Sequence, residues 1–567
     1  MSSLPATIAV LCCFVLPACK IARSEPVEVE APTVALERLP VGSLFEVATV
    51  QFAPVLGDVE GNRTELVRLS KEAAEHGAKI IVHTEMATSG YAYFSREEIS
   101  KVAETVPGPS TTALGEVARE YGVYIVFGMP LYDPDKNVYF NSAVLLTPEG
   151  DVGGVYKKRS NLLEVSYNAE DSSEIPTFDT IYGRVGIAIC ADVFYEQISR
   201  LAAVAGADIL LAPTNSGVTT TFGQVRAYEN NFHFIIANRY GEETAGTPLD
   251  HFTQDTFTIP SPFPYNFDFD PRSMIIRNDT KVMVDISTKE NTIGYAELPV
   301  LGERARPVVR RPELYSMLAQ DTLQPYVQQQ LGLPPATTFG AAAVQPASGG
   351  DPYQQTIHAA EAAIAEAKSK GMTLRVLVLP ADYFGKPTSG GVQQLQDFAR
   401  AQGIDLYVNF GAGEVVPPES RLLGSDGKVF TYERTHRAPT EPDVVGADYW
   451  VVDRDYGRVG LLQGNDLLAP ETSQVMQSMG VDVLLVNANS SEAVLPALWE
   501  NRTGDFVHVI ETNLNGLEGI YLGGYVANPS KSEGEGTVML DVNTADVRNK
   551  KGLRFLDPYP LLGPKAP

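Results

Sequence analysis

Apolar positions recur along the chain in two alternating periods. Phe45 to Phe52 is a strand-like run, and Asn62 to His76 carries Leu66, Leu69 and Ala73 at helical spacing. Lys79 to His83 is a short β-branched run that predicts a strand. Leu114 to Tyr121 predicts a helix, and Val123 to Phe127 a buried strand. Strands alternating with helices predict an α/β fold. Two N-terminal stretches break the pattern. Leu4 to Ala18 is almost wholly apolar but only fifteen residues long, short for a membrane span. Glu25 to about Gly42 is rich in Pro, Glu and Val without a period and reads as a tether.

The pattern repeats on a larger scale. Tyr182-Gly-Arg-Val-Gly186 recurs as Tyr456-Gly-Arg-Val-Gly460, and Gly206-Ala-Asp-Ile-Leu-Leu211 as Gly480-Val-Asp-Val-Leu-Leu485, both offset by 274 residues. Val50-Gln51 matches Val344-Gln345, and the helix–strand unit before Glu85 matches that before Ala381. Several collinear matches predict two tandem copies of one α/β domain. The expected boundaries are a signal segment at 1–24, a tether at 25–42, a first copy at 43–316, a linker at 317–338, a second copy at 339–557 and a tail at 558–567.

Composition narrows the function. The chain has 567 residues, 44% hydrophobic and 20% charged, which suits a large buried core. Its net charge is −26 and no Lys/Arg-rich run occurs, so no nucleic-acid partner is expected. Of four cysteines, Cys12, Cys13 and Cys19 lie at the N-terminus and only Cys190 in the body. A disulfide framework and a CxxC zinc site are excluded for that body. Leu16-Pro17-Ala18-Cys19 resembles the lipobox of bacterial lipoproteins, which implies a lipid anchor at Cys19, although no Lys or Arg precedes the apolar run. A plain secretory signal and an uncleaved buried segment are the other readings. The expected location is secreted or envelope-anchored.

Three segments of the first copy carry candidate chemistry. Ile80-Ile-Val-His-Thr-Glu85 delivers a carboxylate at a strand end, and the segment continues through Gly90 to Tyr91. Gly153-Gly-Val-Tyr156-Lys157-Lys158-Arg-Ser-Asn161 presents two adjacent lysines. Gly183-Arg-Val-Gly-Ile-Ala-Ile189-Cys190-Ala191-Asp192 is an apolar strand that ends in a cysteine before a helix. In open α/β folds, sites are built at the C-terminal ends of strands. Histidines are few, and a Cys–His dyad has little support.

With these segments in this order, the first copy resembles the nitrilase superfamily of carbon–nitrogen hydrolases, from about Ser43 to Tyr315. The Asn141-Ser-Ala strand, the Arg226-Ala-Tyr-Glu229-Asn230 helix and the Ala237-Asn-Arg239 strand end fit as well. The resemblance implies a four-layer α-β-β-α sandwich and a Glu–Lys–Cys triad at Glu85, Lys158 and Cys190. A thiol becomes a good nucleophile once deprotonated, and Glu85 is placed to take that proton and return it to a leaving amine. Lys158 and the backbone N–H of Ala191 would face a developing oxyanion. The superfamily's second glutamate points to Glu164, with Glu170 and Glu174 as alternatives. Tyr91, Thr214 and Asn215 are substrate-pocket candidates. The aromatic stretch between Gly246 and Ser273, with Phe252, Phe257, Phe263, Tyr265, Phe267 and Phe269, is either a packed surface loop or a lid.

In the second copy Ala381, Arg434 and Gly464 stand where Glu85, Lys158 and Cys190 stand in the first. That copy is expected to keep the fold without the chemistry, and to pair with the first internally unless the chain forms homo-oligomers instead. The expected activity is hydrolysis of a small-molecule amide, with no metal or organic cofactor implied. Nitrile hydrolysis and acyl transfer share the same first step, and a non-enzymatic envelope binding protein is the contrasting alternative.

Overall fold

The computed structural model describes residues 37–567 except 94, 161–165, 169, 171–174, 216, 245–250, 254–257, 261–265, 303–306, 320–330, 412–417, 491, 517, 524–530, 535 and 549–567. At 251–253, 258–260, 266–267, 319 and 531–534 it describes the backbone alone. The described residues from Arg38 onward form one compact unit. No described helix is long and apolar enough to cross a membrane.

Period-two alternation builds the first sheet. Along Leu44–Gln51, Ile80–Val82 and Tyr124–Asp133, the side chains of Val47, Ile80, Val82, Tyr124 and Val126 enter one core. Those of Ala48, Val50, Ile81, Ile125 and Phe127 enter another. Successive side chains point to opposite faces, so these strands are covered on both sides. Helices α1 (Val59–His76) and α2 (Pro109–Tyr121) cover the outer face through Leu66, Leu69, Ala73, Leu114 and Val117. Asp58 starts α1 by accepting from Gly61 N at 3.0 Å, and Pro109 opens α2, where its missing N–H costs nothing.

The sheet runs, edge to edge, Thr292–Pro299, Leu44–Gln51, Ile80–Val82, Tyr124–Asp133, Val138–Leu146, Val152–Lys157. A second sheet packs against its inner face and runs Val282–Ile286, Ser273–Ile276, His233–Asn238, Ile209–Thr214, Gly183–Ile187, Thr177–Thr180. Helices α3 (Glu196–Val204) and α4 (Thr220–Asn230) cover its outer face. A Cβ on Gly186 would lie 3.0 Å from that of Ala202 on α3, so the glycine sets how closely the helix approaches. The order is α-β-β-α.

The second half repeats this plan. One sheet runs Val429–Glu433, Glu419–Leu423, Asp405–Phe410, Leu374–Val378, Thr338–Val344, Thr537–Asn543, under α5 (Pro352–Ser369) and α6 (Ser389–Gln402). The other runs Trp450–Arg454, Gly457–Gln463, Val483–Ala488, His508–Asn513, Glu518–Tyr521, Lys531–Gly534, with α7 (Pro470–Ser478) and α8 (Leu495–Arg502). The repeated Tyr-Gly-Arg-Val-Gly has a shared physical cause. Gly183 and Gly457 take φ of +132° and +147°, and a Cβ there would meet Asp208 at 2.9 Å and Asp482 at 3.1 Å. Each carboxylate accepts the following arginine's backbone N–H, Arg184 at 2.9 Å and Arg458 at 2.8 Å.

The halves touch through α4 against α8 and α3 against α7. Val225 of α4 lies in the second half's apolar core. The segment after the first half crosses over: Val309 N donates to Arg437 O at 2.9 Å, and Tyr315 Oη lies 2.9 Å from His436 Nε2. Much of the expected linker, 320–330, lies outside the described residues.

Candidate active site

Glu85 stands three residues beyond the strand Ile80–Val82 and is fully buried. Its Oε1 accepts from Lys158 Nζ at 2.9 Å and from Asn141 Nδ2 at 2.6 Å. Lys158 follows directly on the strand Val152–Lys157, and its side chain is 2% exposed. The neighbouring lysine takes the other side: Lys157 Nζ lies 3.4 Å from Asp133 and 3.6 Å from Glu170. Strand alternation therefore separates two adjacent lysines into a buried one on Glu85 and a partly exposed one on surface carboxylates. Glu170, one of three candidates for a second glutamate, thus meets Lys157. Glu164 and Glu174 lie outside the described residues.

Cys190 opens a 3-10 turn, Cys190–Phe194, that leads into α3. The residue is 4% exposed and its φ is +48°. A non-glycine residue in the left-handed region stores about 1–3 kcal/mol and persists only where its surroundings enforce it. Asp192, two residues on, is the clamp. Its carboxylate accepts from Ile189 N (3.2 Å), Tyr156 Oη (2.8 Å), Arg159 N (3.3 Å), Ser160 N (2.8 Å) and Ser160 Oγ (2.6 Å). Burial raises its pKa, against the opposing pull of the Ser160 hydroxyl and the Lys158 charge. The clamp ties the segment bearing Lys158 to the turn bearing Cys190. Ala191 is the second residue of that turn, where backbone N–H groups lack helical partners.

His83, two residues before Glu85, is set apart. It bonds Ser70 Oγ at 2.7 Å, and burial lowers its pKa to about 3, so it is neutral at ordinary pH.

Residues 46–306 match the family model described as carbon-nitrogen hydrolase. A nitrilase of Pyrococcus abyssi is 34% identical over 203 residues, 35% of this chain and 77% of the relative. The chain belongs to the carbon-nitrogen hydrolases of the nitrilase superfamily. An omega-amidase of Homo sapiens is 30% identical over 202 residues, 32% of this chain and 71% of the relative. The solved structure of a Saccharomyces cerevisiae member of branch 10 of the nitrilase superfamily is 19% identical, with a TM-score of 0.38, over 46% of this chain and 91% of that one. This carbon-nitrogen hydrolase therefore acts on C–N bonds other than peptide bonds.

In this hydrolase one pocket candidate stands beside the buried pair. The ring of Tyr91 lies 5.9 Å from Lys158 Nζ and edge-on to Phe269 at 6.0 Å. Glu243 Oε2 accepts from Tyr91 N at 2.8 Å and Ala92 N at 3.0 Å, which fixes that loop. Arg239 pairs with the same Glu243 and stacks 4.2 Å over Phe269. Phe269, one end of the aromatic stretch, is thus buried beside Tyr91. The side chains of Phe252, Phe257, Phe263, Tyr265 and Phe267 lie outside the described residues. Thr214 donates to Asn238 Oδ1 at 2.7 Å. Asn215, beyond a strand that packs beside the Cys190 turn, is 3% exposed, and neither end of its amide has a hydrogen-bond partner among the described residues.

The second half keeps the scaffold of the site. Asp466 accepts from Tyr432 Oη (2.7 Å), Thr435 N (3.0 Å), His436 N (2.8 Å) and Gln463 N (2.8 Å), as Asp192 does from its neighbours. Asp382 repeats the left-handed Met86, with φ +59° against +51°. Gly464 does not repeat Cys190: it could adopt a left-handed φ without cost, yet it does not. At this position the left-handed geometry occurs only in the half that carries the thiol. Arg434 pairs with Glu441 at 2.8 Å, and Ala381 offers no carboxylate. The sequence reading gave no role to Asn141, Asp192 or Glu243. The signal for Asp192 was present in the repeat, since Asp466 follows Gly464 at the same spacing.

Proposed function

We propose that this hydrolase cleaves a small-molecule amide through a thioester on Cys190. The observation that carries the reading is the buried Glu85–Lys158 pair at 2.9 Å, tied through Asp192 to a strained turn that presents the thiol. Glu85 takes the thiol proton, and the thiolate attacks the carbonyl carbon. Lys158 and Ala191 N–H stabilise the oxyanion. The C–N bond then breaks, and the amine leaves with the proton from Glu85. Water attacks the thioester as Glu85 accepts its proton, the C–S bond breaks to release the acid, and Glu85 returns the proton to the Cys190 thiolate. Glu164 is the proposed second carboxylate, orienting Lys158 and the water. Tyr91 and Asn215 would contact the acyl portion, where the amide of Asn215 favours a substrate with a further polar group. Thr214 acts behind them through Asn238.

A panel of amides, ureides and nitriles, assayed for ammonia or amine release, tests this reading. Release from amides that is absent in Cys190→Ala supports it; undiminished release in that variant sinks it. Nitrile turnover without amide turnover would move the assignment to nitrile hydrolysis.

The proposal extends to placement and domain use. The Leu16-Pro-Ala-Cys19 motif supports export and acylation at Cys19, and the intact mass of the membrane-extracted protein decides it. A mass matching the unprocessed chain contradicts it. The second half serves as a permanent internal partner of the first, with boundaries near 43–316 and 339–557.

A further inference from the structure

The junction between the halves is built on buried charges that reach the Cys190 turn. Arg226, on α4, is fully buried. Its Nε and Nη2 donate to the carbonyls of Val193 at 3.1 Å and Phe194 at 3.2 Å, the last residues of that turn. Its Nη1 donates to Glu229 Oε1 at 2.6 Å and lies 3.6 Å from Glu196 Oε1. Arg226 thus holds the turn, and two carboxylates hold Arg226.

Both carboxylates share a second arginine, which comes from the other half. Arg502, on α8, is fully buried. Its Nη1 bonds Glu196 Oε1, and its Nη2 bonds Glu229 Oε2 at 2.9 Å. Its Nε donates to Leu467 O at 3.0 Å, the place Val193 holds for Arg226. Arg502 is therefore the repeat of Arg226. It is retained in a half whose three site positions have become Ala381, Arg434 and Gly464, and where there is no thiol to present.

Charge balance explains why it matters. Asp505 repeats Glu229 but is one methylene shorter, and it accepts from Ser473 Oγ at 2.6 Å. Burial, and then the charge of Glu196, pushes its carboxyl well above the ordinary range. In the contacts themselves, two guanidinium groups, Arg226 and Arg502, bridge two carboxylates, Glu196 and Glu229. Without Arg502, two buried carboxylates would face Arg226 alone. An uncompensated buried charge costs more than the pair contributed. Arg226 would be drawn toward the carboxylates and off the Val193 and Phe194 carbonyls.

Resting on Cys190 as the nucleophile, we infer that Arg502 of the second half is a positioning residue for the first half's active site. By bracing Glu196 and Glu229 it keeps Arg226 on the turn that presents the thiol. The half without chemistry completes the site of the half that has it.

The test compares full-length Arg502→Met and Arg502→Lys with Arg310→Gln. Arg310 pairs with Glu471 at 3.0 Å at the same junction. The readouts are kcat, KM, melting temperature, and the pH profile of Cys190 alkylation by iodoacetamide. Arg502→Met should lose about 10- to 100-fold in kcat with little change in KM, because small misplacements of reacting groups cost that much. Its alkylation profile should shift, with partial rescue in Arg502→Lys. Arg310→Gln should lower the melting temperature without moving the alkylation profile. A folded Arg502→Met with wild-type kcat and alkylation profile overturns the inference. If that variant does not fold, wild-type kcat in Arg502→Lys overturns it, because one ammonium cannot reproduce three guanidinium bonds. Failure of the nucleophile reading would show separately, as turnover in Cys190→Ala.

Discussion

Glu85 and Lys158 are both out of water, and each helps compensate the charge of the other. Lys157, one residue away, is about a fifth exposed and meets Asp133 and Glu170 at longer range. The two lysines should therefore respond differently to the same change. Lys158→Met is expected to lower kcat by about 10²–10³-fold, the usual loss for one oxyanion donor. Lys157→Met should leave kcat unchanged and cost about 0–1 kcal/mol of stability. Steady-state kinetics and urea melts of both variants check this, and equal losses in the two would contradict it. Glu85, Lys158 and Cys190 stand out in the sequence as candidates because each lies at or just beyond a strand end within a run that resembles the superfamily's. The role of Asn141 does not, because it lies in a bond that spans 56 residues to Glu85, and Asp192 is marked only by its repeat at Asp466, since its bond to Tyr156 spans 36. No local period reports such contacts.

At the scale of elements, α3, α4, α7 and α8 trade apolar burial for a charged junction, and the carboxyls there should show it in their pH dependence. Asp505 has a folded pKa raised above its ordinary 3.8, first by burial. The folded chain keeps a proton that the unfolded chain releases, so this group lowers stability as pH rises above about 3.8. Asp505→Asn has no proton to lose. Its melting temperature relative to wild type should rise as pH climbs above about 4, and a flat difference would contradict the assignment. Glu471 has the opposite sign. Burial works against it, but Arg200 and Arg310 hold its pKa near about 2, below its ordinary 4.5. Its contribution is present above pH 4.5 and lost as pH falls toward 2. Glu471→Gln should be less stable at neutral pH and lose less on acidification, read by melting temperature across that window. The helices and strands themselves were foreseeable: α1 spans Val59–His76 where the apolar spacing placed a helix from Asn62. An internal pairing of the halves is expected from the repeat, but its charged contacts are not, because Arg502 and Glu229 are 273 residues apart.

For the whole molecule, the repeat was the most informative reading of the sequence, since the second half reproduces the strand order of the first, sheet for sheet. What the repeat could not convey is that the segment carrying Val309 and Tyr315 crosses to Arg437 and His436. Severing the halves should therefore expose both apolar and charged surface. A fragment of residues 25–333 is expected to self-associate or to lose turnover, measured by light scattering beside amine release. A monomeric, fully active fragment would contradict the role given to the second half. One thiol, Cys190, is proposed to carry the chemistry for the whole chain. The most direct measurement is the intact mass of the full-length protein, acid-quenched during turnover of an amide, followed by peptide mapping. The account predicts one acyl group per chain, on the peptide containing Cys190, and none in Cys190→Ala. Turnover with no adduct on Cys190, or an acyl group held elsewhere in the chain, would contradict it.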